Sequence, residues 1–129
     1  DLAAEFPVID THRMGRPNRF SYHVTTPRRR TLQFEGVVKY DLSDGSRTVL
    51  PFGEGVLGSE VAFAPRIGAT EEDDGYLLTF VDDRSNDCSE LWIVDARALC
   101  EGPVARVQIP QRVPLGFHAC WVPQAKLPS

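Results

Sequence analysis

Apolar positions in this 129-residue chain recur in short alternating runs bounded by Gly, Pro, Asp and Asn, the spacing of half-buried β-strands. No stretch of about 11 or more residues holds the i, i+3, i+4, i+7 spacing of an amphipathic helix without Gly or Pro interrupting it. Strands are predicted over 20–24, 31–42, 47–52, 60–64, 76–81, 91–94 and 104–109, runs rich in β-branched and aromatic residues. Asp44-Gly45 predicts a tight hairpin between two of them, and Asp74-Gly75 closes the acidic run 71–74 just before another. One helical turn is expected, over 96–99.

The strands repeat. Gly58, Glu60, Phe63 and Pro65 recur in spacing as Gly116, His118, Trp121 and Pro123, 58 residues later, and Ala4-Glu5-Phe6-Pro7 is a looser third copy. Downstream, the run ending at Asp41 and a turn resemble the run ending at Asp95 and a connection, with the two aspartates 54 residues apart. Each copy reads as four antiparallel strands in order, the make-up of a β-propeller blade. The expected class is therefore all-β: one blade over 5–52, a second over 59–110, and the first strand of a further, closing blade over 117–122. Propellers close with about four to eight blades, so two blades and a strand predict a piece of a longer protein, here the C-terminal fragment of a single propeller domain. The alternative is a small sandwich of about seven strands, which leaves the repeat unexplained.

Composition adds limits. With 42% hydrophobic and 25% charged residues the chain is that of an ordinary folded domain. A net charge of −4, spread along the sequence, makes neither nucleic acid nor an anionic membrane surface the expected main partner. The basic run 28–30 reads as a solvated loop, and no apolar stretch approaches the roughly 20 residues of a membrane-spanning helix. Nothing at the start resembles a signal peptide. Three cysteines, Cys88, Cys100 and Cys120, cannot all pair with one another and lack CxxC spacing, which predicts a reducing, cytoplasmic setting.

Candidate chemistry follows from the repeat. In a propeller the first strand of each blade lines the central channel, so Glu60 and His118 face one axis. Glu5 fits less closely, standing two residues before Pro7 rather than five; that odd slip turns its side chain away unless a bulge restores it. Carboxylates in apolar company need a partner, and a ligating imidazole commonly donates its other N–H to one. Phe117 and Trp121 flank His118 as weaker candidates for substrate contact. His12 and His23 read as surface residues of a loop and a strand. Asp82, Asp83, Asp87 and the acidic run lack the regular spacing of a calcium loop and read as solvated turns.

At these residues a resemblance becomes visible. Glu60-Val-Ala-Phe-Ala-Pro-Arg66, Glu90-Leu-Trp-Ile-Val-Asp-Ala96, Arg112-Val-Pro-Leu-Gly-Phe-His118 and, earlier, Glu5-Phe-Pro-Val-Ile-Asp10 resemble, in order, the C-terminal part of the carotenoid cleavage oxygenase family. The resemblance implies a seven-bladed propeller holding one non-haem Fe(II) through four histidines, with His118 the last ligand. It implies further that Glu5 and Glu60 are carboxylates orienting ligand histidines, Glu60 behind a histidine that this chain does not contain, and that O2 is added across a C=C bond of a conjugated apolar substrate, a carotenoid, apocarotenoid or stilbene, to give two carbonyls. The three other ligands would come from the missing N-terminal part of the propeller, and the isolated chain would be inactive. Peripheral membrane contact and isomerisation in place of cleavage both stay open. Ala119-Cys120 stands where small residues such as Gly are frequent, and Ala62 and Ala64 replace bulkier residues, which affects tunnel shape rather than ligands. Two readings from other classes stand beside this one: a non-catalytic propeller scaffold, and a hydrolase using Glu5 and Glu60 as an acid–base pair.

Overall fold

Two antiparallel sheets, packed face against face, carry the chain. The computed structural model describes residues 2–27, 32–116 and 118–127; the basic run 28–30 lies outside the described residues. The first sheet is β1 (Ala4–Val8), β2 (Phe20–Thr25), β3 (Gly36–Asp41) and β4 (Ser46–Pro51), hydrogen-bonded in that order. The second comprises β5 (Val56–Gly58), β6 (Ala62–Pro65), β7 (Gly75–Asp83), β8 (Cys88–Asp95) and β9 (Pro103–Ile109). Both β5 and β6 pair with the same edge of β7, the first with residues 81–83 and the second with 75–78. They are one first strand interrupted at 59–61, so each sheet is a four-stranded meander, as expected of a propeller blade.

Alternation in the sequence explains which faces meet. On β7, Leu77, Thr79 and Val81 are buried while the intervening Leu78 and Phe80 are not, and on β2 Tyr22 and Val24 are buried on either side of the half-buried His23. These inward residues form one core with Phe34, Val37, Phe52, Phe63, Trp92 and Val94. Tyr22 stacks on Phe63 and Phe52 meets Trp92 edge-on, each with ring centroids 5.6 Å apart. The Phe52 ring lies where a side chain on Gly58 would be, so only glycine fits there.

Asp41 and Asp95 end the third strand of their sheets and repeat one device. Each accepts the backbone N–H two residues on, from Ser43 and Arg97, at 3.0 and 2.9 Å. Each also holds an arginine, Arg19 from just before β2 on Asp41 at 2.7 Å and Arg66 from just after β6 on Asp95 at 3.1 Å. The Asp44-Gly45 hairpin forms as a four-residue turn with Gly45 at φ +73°. The expected helical turn at 96–99 lies later, as a 3-10 turn over Leu99–Glu101, because the Asp95 carboxylate ties residues 95–97 into a turn of their own.

The acidic run behaves differently from the solvated turn expected of it. Glu72 Oε1 accepts the backbone N–H groups of Arg19 and Phe20, each at 2.7 Å, reaching from the second sheet into the first. Asp73 meets Lys39 at 2.7 Å, and the same ammonium donates to the Ala96 carbonyl and lies over the Phe20 ring. The run is an electrostatic clamp between the sheets. Of the first strand expected over 117–122, the described residues 118–122 form no β-pairing among the described residues; their anchor is a side chain instead.

Candidate metal-ligand site

Strand pairing sets where the first-strand residues point. In the first sheet Glu5 lies opposite Val24 and Val8 opposite Tyr22, three steps against two, which is a one-residue bulge. In the second sheet Gly58 lies opposite Val81 and Ala62 opposite Leu78, four steps against three, again one residue extra. Asp41 pairs with Phe20 and Asp95 with Tyr76, so the third strands superpose at an offset of 54 residues and the second at 56, and Val8 opposite Tyr22 and Ala62 opposite Leu78 set the first strands at 54 as well. On that count Glu5 is level with Ser59, and Glu60 is level with Phe6. The sequence repeat had no means of showing the bulges, because a bulge leaves no residue-type signature unless it takes a glycine.

Glu60 sits at the second-sheet bulge with its side chain only 12% exposed. Its Oε2 accepts the Ala119 N–H at 2.8 Å and lies 3.4 Å from Nδ1 of His118. The carboxylate, expected behind a histidine outside this chain, therefore holds the backbone next to His118 and faces the imidazole of this chain itself. With Nδ1 facing the carboxylate, Nε2 is the nitrogen that remains for a metal. The His118 side chain itself is 84% exposed.

A series of side-chain acceptors brings the segment before His118 to this place. The Arg112 guanidinium meets the buried Asp82 at 3.0 Å, Val113 N–H donates to Ser89 Oγ at 3.0 Å, and Gly116 N–H to Ser59 Oγ at 3.4 Å. Asp82, Ser59 and Ser89 are all buried. No sequence signal marks the two serines, since Ser59 stands between Gly58 and Glu60 and Ser89 between Cys88 and Glu90.

Glu5 is exposed on β1 and does not join Glu60 and His118. Its charge is felt by His23, where burial holds the imidazole below its ordinary value and Glu5 opposes that shift. His23 is half-buried, in contact with Ser21 Oγ at 2.6 Å and edge-on to Tyr40. His12 is exposed and paired with Asp10, away from the site. Trp121, 47% exposed, lines a groove of about 230 Å³ with Val8, Val61, Phe63 and Ala119, next to the His118 segment. A larger open depression of about 620 Å³, lined by Glu35, Glu54 and Arg84, includes neither Glu60 nor His118. Phe117 lies outside the described residues. Among the described residues no three or more His, Cys, Asp or Glu side chains gather to hold a metal, so the chain fits a metal centre as the source of one imidazole and its supporting carboxylate.

Comparison with known proteins gives a consistent result. The family described as retinal pigment epithelial membrane protein, RPE65, matches residues 1–123. The chain is 36% identical over 138 aligned positions to a carotenoid 9,10(9',10')-cleavage dioxygenase 1 of Pisum sativum, covering 95% of this chain and 25% of that protein. It is 31% identical to the apocarotenoid-15,15'-oxygenase of Synechocystis sp., over 91% of this chain and 24% of that protein. Among solved structures, cobalt-substituted Synechocystis ACO superposes with a TM-score of 0.80 at 31% identity, over 89% of this chain and 24% of that one. The chain thus spans about a quarter of the length of the relatives it matches.

Proposed function

Because the chain belongs to the RPE65 family of carotenoid oxygenases, with two blade units of their propeller, we propose that it is the C-terminal portion of a non-haem Fe(II)-dependent dioxygenase. The substrate class is a conjugated apolar molecule, a carotenoid, apocarotenoid or stilbene, cleaved at a C=C bond to two carbonyl products. The single observation that carries this reading is the Glu60 carboxylate bonded to Ala119 N–H and facing His118 Nδ1.

His118 is one of four histidine ligands, presenting Nε2, and the other three belong to parts of the propeller beyond this chain. Iron(II), when bound, supplies the redox centre that makes dioxygen reactive toward the double bond. Glu60 holds the proton on Nδ1, which fixes the tautomer and raises the basicity of Nε2. Glu5, on the neighbouring blade, is assigned the same task for a histidine outside this chain. Trp121, in the groove next to the His118 segment, is assigned to contact with the apolar substrate, and Phe117 is assigned to it as well from its place beside His118 in the sequence. One imidazole supplies a fraction of the centre, so the isolated chain neither holds iron firmly nor turns over. Three free thiols support a reducing, cytoplasmic location.

Iron stoichiometry and turnover of the full-length protein and its His118→Ala variant test the assignment. Loss of bound iron and of cleavage is expected; full iron content with undiminished turnover would overturn it.

A further inference from the structure

Phe6 is one of two non-glycine residues with positive φ among those described, at +56°. A bulky side chain is disfavoured there and glycine is not, so this position holds an aromatic residue against the preference of its backbone. Its ring explains why. It stands edge-on to the His118 imidazole, centroids 5.8 Å apart at 82°, and edge-on to Phe34, 5.5 Å apart at 76°. Phe34 is itself buried and bridged to Gly58 between the sheets, so the row Phe34, Phe6, His118 is anchored at its inner end in the core.

The equivalence of the two bulges gives this row its meaning. The same bulge position carries Phe6 in the first sheet and Glu60 in the second, and both reach the same imidazole, one through a ring contact and the other through Nδ1. Rotation of the imidazole about its ring torsion would break both contacts together. We propose that Phe6 is a positioning residue for His118: the bulge in β1 holds its ring perpendicular to the imidazole, so that Nδ1 stays on Glu60 and Nε2 stays aimed at the metal. The inference rests on His118 being a metal ligand.

Three variants of the full-length protein test it. Phe6→Leu keeps an apolar side chain without the ring, Phe6→Gly suits the backbone without the ring, and Phe6→Tyr keeps the ring. Iron affinity is expected to fall 10- to 100-fold in Phe6→Leu and in Phe6→Gly and to persist in Phe6→Tyr. The visible absorption bands of the Co(II)-substituted protein are expected to shift in the first two variants only. Crystal structures without metal are expected to show the imidazole plane rotated off Glu60 in Phe6→Leu. Unchanged iron affinity, cobalt spectrum and imidazole plane in both ring-less variants would overturn the proposal, as would a Tyr variant that behaves like Leu. His118→Ala separates the two failures. If it keeps its metal while Phe6→Leu still rotates the imidazole, the ligand assignment falls and the positioning role stands; if it loses metal while Phe6→Leu changes nothing, the positioning role falls alone.

Discussion

The first strands of the two sheets make the same backbone detour and end with different chemistry. Strand β1 runs through its bulge and leaves Glu5 exposed, whereas the β5–β6 strand breaks at its bulge and turns Glu60 inward, to 12% exposure, onto Ala119 and His118. A shift of one residue between glutamate and bulge separates the two outcomes. In a repeat protein, therefore, matching residue types need not mean matching positions; the ladder of paired strands decides.

The largest effect should come from cutting the link that holds the two strands in one frame. Glu72→Ala removes the acceptor of two backbone N–H groups, and at roughly 1.5 kcal/mol for each hydrogen bond to a charged group the loss is about 3 kcal/mol. Urea unfolding should show the midpoint falling, with Glu72→Gln intermediate. The next effect bears on the two glutamates. Glu60→Ala removes one hydrogen bond from a charged group to the Ala119 N–H and should cost about 1.5 kcal/mol, whereas Glu5→Ala, at an exposed position, should stay within about 0.5 kcal/mol. Hydrogen exchange at Ala119 should lose protection in the Glu60 variant alone. Equal loss in both would erase the difference drawn here between the two strands.

A smaller gain is expected from Tyr22→Phe. The Tyr22 hydroxyl is buried with no hydrogen-bond partner among the described residues, so removing it should stabilise the protein by about 1 kcal/mol, read as a higher unfolding midpoint. The smallest effect is a pH dependence tied to Glu5. Burial keeps His23 below its ordinary value in the folded protein, so the unfolded chain binds more protons in that window. Stability should be flat above about pH 6.5 and fall as pH drops below it. His23→Gln should flatten that slope, and Glu5→Gln should extend it to lower pH by removing the charge that opposes the shift. An unchanged profile in Glu5→Gln would remove Glu5 from the neighbourhood of His23.

Much of this was legible beforehand. Alternation marked the strands, and the two aspartates at the ends of β3 and β8 gave the period of the sheets, since Asp41 and Asp95 share both a turn and an arginine. The repeat singled out Glu60 and His118, but the resemblance put Glu60 behind a histidine outside this chain, whereas the structure sets it against His118 itself. What was hidden is of three kinds. Strand β5 has three residues, one of them Gly58, and carries too little pattern to see. The bulges exist only in the pairing. The acidic run looked like solvent-facing turns because its partners Arg19, Phe20 and Lys39 lie 34 to 53 residues away, and local composition says nothing about partners at that distance.

The acceptors that guide the chain to His118 also order events in time. Val113 reaches back 24 residues to Ser89, Gly116 then 57 to Ser59, and Ala119 then 59 to Glu60. Loops of that length close slowly and gain nothing until their ends meet, so these contacts form after the local hairpins. Glu60 is in place to receive Ala119 only once β6, β7 and β8 have paired. The imidazole is the last piece of this region to be seated, which makes its capture by Glu60 a report that the second sheet has finished folding.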